Sequence, residues 1–202
     1  MNQNKYFVGL LLLCTIGFGI YFGLKIWSSV WELFITTSIL SFFYVWKIPG
    51  LNGKNLRDIP GIKIYIIAFV WVLISVLLPY LLDENQDYGQ MSQLFIAEFC
   101  FMIAITIPFD VRDIKLDDSS KKTIPQIIGI KKSIRISILL LIASQIIWQQ
   151  LLPSFNLGIW LTTLISVLIL FYANTKRNEL YFSAIIDGLL LLQPFLVWVL
   201  KL

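Results

Sequence analysis

At 202 residues the chain is 58% hydrophobic and 14% charged, with a mean hydropathy of +0.81, far more apolar surface than a soluble domain of this length needs. Its net charge of +4 is carried by bases in short segments between apolar runs, which marks membrane topology and argues against a nucleic-acid partner. Histidine is absent and Cys14 and Cys100 lie inside apolar runs, which removes the usual general base, a zinc site and a disulfide framework; chemistry must rest on carboxylates, lysines, arginines, tyrosines and metal.

Apolar runs of about 20 residues are long enough to cross a bilayer as helices. They cover approximately 6–24, 28–46, 63–82, 91–109, 134–152, 157–173 and 180–200. The first lacks a small-residue cleavage site and is read as a retained helix. Its Gly19 and Gly23 stand at GxxxG spacing, which predicts close helix packing. Between the second and third runs, Pro49-Gly50 and Pro60-Gly61 mark a loop. Pro79 falls near the end of the third run, an acidic stretch at 83–90 precedes the fourth, and Pro153 stops the fifth. The expected fold is all-α: one polytopic transmembrane bundle of seven spans, forming a single domain over 1–202.

The bases test that count. Alternating seven spans puts 14 of the 16 Lys and Arg on one side, leaving Lys25 and Lys201 on the other. By the positive-inside rule the rich side is cytoplasmic. An integral membrane protein, with a bacterial inner membrane as the expected location, then has its N-terminus inside and its C-terminus outside. No internal repeat suggests an inverted-repeat transporter.

The most polar segment, DVRDIKLDDSSKKTIPQIIGIKK at 110–132, lies on the cytoplasmic side. If its start is helical, Asp110, Asp113 and Asp117 fall at i, i+3 and i+7 and share one narrow face. Grouped carboxylates suit a hard cation such as Mg²⁺, which completes its shell with water and phosphate oxygens. Lysines just beyond could meet the same phosphate as point charges. The alternative is a solvated loop whose acids balance its bases.

With that loop placed after a span, FDVRDIKLDDSSKKTIPQIIG resembles the second aspartate-rich motif of the UbiA superfamily of intramembrane prenyltransferases. Asp110, Asp113 and Asp117 match the acids of D-x-x-D-x-x-x-D, Lys122 and Thr123 the following basic and hydroxyl pair, and Gly129 the closing glycine. Ser120 stands where many members have glycine. Tyr44, Lys47 and Pro49 in YVWKIP look like the ending of that family's fourth helix. Four expected spans before the loop and three after it correspond to helices three to nine. The family's first aspartate-rich motif has no counterpart before Tyr6, so the resemblance implies an enzyme that is incomplete as this chain.

What the resemblance implies is Mg²⁺-dependent transfer of an isoprenyl group from its diphosphate to an aromatic or lipid acceptor. Asp110, Asp113 and Asp117 would hold the metal, Lys121, Lys122 and Lys47 the diphosphate, and Tyr44 and Asp187 would line the substrate cavity. The partners would be membrane lipid and an isoprenyl diphosphate. The competing expectations are a non-catalytic UbiA-fold binding or scaffold protein, and a small-solute transporter using Asp187 and Glu98.

Acids inside spans are costly, about 2.5–3.5 kcal/mol at mid-bilayer, and usually face a cavity or a partner. Asp187 lies about 12 Å into the last span at helical rise. It is read either as a cavity contact or as a hydrogen-bonded packing residue. Glu98 is read as structurally paired and Glu32 as snorkelling to the outer interface. Trp27, Trp31, Trp46 and Trp148 are read as interfacial belt residues or lipid contacts.

Overall fold

A computed structural model of the chain describes residues 3–47, 53, 55–84, 87–116 and 122–200. These residues form helices and turns, with no strand among them. The helices are α1 (Gln3–Val45), α2 (Lys63–Leu82), α3 (Tyr88–Arg112), α4 (Ile124–Ile128), α5 (Ile130–Leu151), α6 (Leu157–Phe171) and α7 (Tyr181–Val199). Single 3₁₀ turns at Leu56–Asp58 and Asp113–Lys115 precede α2 and extend α3. Among the described residues three helices are long and apolar enough to cross a membrane: Lys63–Leu82, Tyr88–Lys115 and Tyr181–Val199. Val30–Val45, the end of α1, and Leu157–Phe171 are shorter apolar helical stretches among the described residues.

The first two expected spans are not separate here; they run together as α1. The intervening residues, Lys25 to Ser29, include neither glycine nor proline, so nothing in the backbone stops the helix. At 1.5 Å per residue its 43 residues reach about 65 Å, roughly twice the hydrocarbon thickness of a bilayer. The GxxxG expectation also changes. A Cβ built on Gly19 or Gly23 meets nothing within 4 Å, so neither glycine serves a close approach among the described residues. The lower end of α1 is held by Asn55, whose amide donates to the Val45 carbonyl at 3.1 Å.

Helix α3 is the spine. Its lower half is buried on nearly every face, from Phe101 to Val111, and its contact with α5 is the most extensive between any two helices. Pro108 lies inside α3 and has no N–H for the carbonyl of Ala104 four residues earlier. Ser137 of α5 supplies the missing donor: its hydroxyl bonds Ala104 O at 2.6 Å, with Ser137 fully buried. In an apolar medium a freed carbonyl needs such a partner, and this one also fixes the register of α3 against α5.

Proline shapes α2 as well. Leu73–Leu77 is a π-turn directly before Leu78-Pro79, and the wider turn makes room for a ring that would clash with the carbonyl of Ser75. A second π segment, Tyr181–Ile186, opens α7 and leads into Asp187 and Gly188. A side chain at Gly188 would come within 2.5 Å of the Ala184 carbonyl, so this tight turn needs glycine. Helices α6 and α7 cross at Gly158, where an added Cβ would lie 2.4 Å from the Leu196 carbonyl oxygen. Gln145 of α5 donates to Gln193 of α7 at 3.0 Å, both buried.

Candidate functional site

The site lies where the lower end of α3 meets the starts of α2 and α7. Asp110, on the last turn of α3, is 2% exposed and accepts from the Lys63 ammonium at 2.8 Å. Lys63 is the first residue of α2, so the ion pair ties two spans together. Asp113, one turn on, is gripped by its neighbour Arg112 through two bonds, Nε to Oδ1 at 2.6 Å and Nη2 to Oδ2 at 2.9 Å. The same guanidinium lies over two rings, 5.2 Å from the Phe109 centroid and 5.6 Å from that of Phe182. A planar guanidinium suits both kinds of contact at once, which a lysine ammonium would not. Arg112 is therefore held rigidly at the end of the bundle.

Above these groups opens a cavity of about 600 Å³, lined by Arg57, Lys63, Arg112, Asp113, Tyr44 and Thr106 at its polar end and by Trp71, Met102, Asp187 and Leu190 further in. Those last four also line a second cavity, of about 820 Å³, whose walls are mainly apolar and aromatic. Sharing these walls, the two cavities adjoin and together line an amphipathic lumen. Its mouth carries three cations, of which Lys63 and Arg112 are paired with Asp110 and Asp113, and the larger cavity is mainly hydrocarbon with two carboxylates, Asp187 and Glu98. Arg57 is exposed and makes no ion pair among the described residues.

The expected site residues divide as follows. Asp110 and Asp113 sit at the same end of the bundle, Asp110 on a small crevice with Thr123 and Asp113 on the wide mouth. Asp117 and Lys121 lie outside the described residues. Lys122 is exposed, with a positive φ of 46°. Lys47 is exposed at the end of α1 and lines neither cavity of the lumen. Tyr44 and Asp187 line the lumen. Among the described residues no three carboxylates or thiols converge on a metal position, and each described aspartate of the trio is held by a cation. The described residues do not by themselves fit Mg²⁺.

Sequence reasoning passed over Arg57, Lys63 and Arg112 as topology markers, although the arginine inside D-V-R-D was a usable signal. It also read Trp148 as an interfacial residue. Its indole instead donates to Glu98 at 2.8 Å, on the wall of the larger cavity; Glu98 is thereby paired, in line with its structural reading. The chain matches no family model, no curated protein and no solved structure.

Proposed function

We propose that the chain is a membrane protein that binds an isoprenyl diphosphate, diphosphate at the cationic mouth and hydrocarbon tail in the lumen. The observation that carries this reading is the single amphipathic lumen: a mouth with Arg57, Lys63 and Arg112 leading directly into an apolar cavity. A headgroup with several oxygens suits the exposed Arg57 and the Arg112 nitrogen that is not bonded to Asp113, and a prenyl chain suits walls such as Trp71, Met102 and Leu190. In this reading the mouth faces the cytoplasm of a bacterial cell, as the distribution of bases suggests.

Prenyl transfer of the UbiA type extends the same reading. The allylic C–O bond would break with its electron pair leaving on the diphosphate, whose charge Arg57 and Arg112 would meet. The allylic carbon would then bond to an electron-rich acceptor carbon, which loses a proton. A second reading, binding without catalysis, is favoured by one observation: Asp110 and Asp113 are already neutralised by Lys63 and Arg112.

The test is binding of tritiated farnesyl diphosphate to the protein in a neutral maltoside detergent, with farnesol as the uncharged control. A charge-assisted hydrogen bond is worth about 1.5–3 kcal/mol, so Arg57→Gln combined with Arg112→Gln should weaken binding about tenfold or more. Equal affinity in wild type and double variant, or equal affinity for farnesol, refutes the reading. Formation of a prenylated product from an added phenolic acceptor separates transfer from binding alone.

A further inference from the structure

The larger cavity has a character of its own, whether or not a prenyl tail reaches into it from the mouth. Its walls include four aromatic side chains, Trp71, Phe101, Trp148 and Trp198, and its charged residues are Glu98 and Asp187; among the described residues no lysine or arginine lines it. Asp187 is shared with the mouth, where Arg112 is also on the wall. Glu98 has no such neighbour. Its partner is the neutral Trp148 N–H, and Glu98 itself lies on α3, a helix long and apolar enough to cross a membrane. A carboxylate held by one neutral donor in apolar surroundings is unfavourable as an anion until a positive charge joins it.

Two further features agree. The cavity opens on the outer surface of the bundle, because two of its lining residues, Leu191 and Trp198, are 75% and 70% exposed, so a lipophilic ligand can enter from the membrane. Away from the cationic mouth it shares the Trp148 wall with a third space, of about 340 Å³, whose charged residues are Asp83 and Asp87. That approach too is lined by acids and by no base. From Glu98 toward this end, the charges on the walls are all negative.

The geometry points to a site for a lipophilic organic cation, seated among Trp71, Phe101, Trp148 and Trp198 with its charge toward Glu98. Aromatic faces attract a diffuse cation through the ring quadrupole, more strongly when water is excluded, and Glu98 supplies the counter-charge. An inorganic cation is disfavoured, since the wall offers too few oxygens to replace its hydration shell. A neutral hydrocarbon would fill the space but leave Glu98 unanswered.

Tetraphenylphosphonium, radiolabelled, is the probe, with neutral triphenylphosphine oxide as its comparison and the protein in maltoside detergent. Wild type should bind the cation at least tenfold more tightly than the oxide, and Glu98→Gln should weaken cation binding tenfold or more. Because Glu98 also bonds Trp148, its variant is checked by its thermal midpoint. Trp198→Leu, at an exposed wall position, provides a second arm and should weaken cation binding at least threefold. No binding by wild type, equal affinity for cation and oxide, or unchanged affinity in either variant with a retained midpoint overturns the proposal.

Discussion

Replacing Lys63 by methionine removes the ammonium from a carboxylate whose side chain is 3% exposed, while Lys63 itself is 16% exposed. At 2.8 Å the pair is in direct contact, and breaking a buried pair from one side costs about 3–5 kcal/mol, because a charge stays behind without its counter-ion. The partial exposure of Lys63 places the expected loss near the lower end, about 3 kcal/mol. For a chain of this length a kilocalorie corresponds to about 3 °C, so the thermal midpoint in detergent should fall by about 9 °C. Asp110→Asn should cost less, because the remaining ammonium can reach water. Lys63→Met with Asp110→Leu should recover most of the loss, since replacing both charges by apolar groups is often neutral. A midpoint for Lys63→Met within about 2 °C of wild type, or a double variant whose loss equals the sum of the singles, would refute the view that this ion pair joins α2 to α3.

Two other perturbations probe packing at defined atoms. Gly158→Ala puts a methyl group 2.4 Å from the Leu196 carbonyl oxygen, and overpacking of this kind costs about 1–3 kcal/mol; differential scanning fluorimetry should register it as a lower midpoint, and no change would mean that α6 and α7 cross less closely than described. Gly23→Ala, with nothing within 4 Å of the new methyl group, should instead stabilise the helix by about 0.5–1 kcal/mol. Gln145→Leu leaves the buried Gln193 amide without its 3.0 Å partner and should cost about 1–3 kcal/mol, whereas changing both glutamines to leucine should be nearly neutral; urea or heat titration of the three proteins distinguishes these outcomes.

The apolar runs alone predict most of the helices. The run at 63–82 coincides with Lys63–Leu82, and the last four expected spans correspond to α3, α5, α6 and α7, with ends shifted by a few residues. Such agreement has a simple origin: a backbone removed from water must bond to itself, and over a long apolar stretch helix is the local way to do so. Hydropathy failed where it relied on a dip in apolarity to end a helix. The single Lys25 between the first two runs lowers the average without supplying any backbone reason to stop, and α1 continues through it.

Partnership across the fold was a different matter. Lys63 and Asp110 are 47 positions apart, Glu98 and Trp148 are 50 apart, and Ser137 reaches the Ala104 carbonyl across 33. A run of leucines and isoleucines reports how readily a segment leaves water, but it carries almost no information about which side of the helix meets which neighbour. That choice is made by close packing around the proline kinks and small residues, and only then do a cationic mouth and an aromatic, acid-lined interior become parts of one lumen. The residues were visible in the chain from the start, but their convergence depends on distances that arise only when the helices pack together.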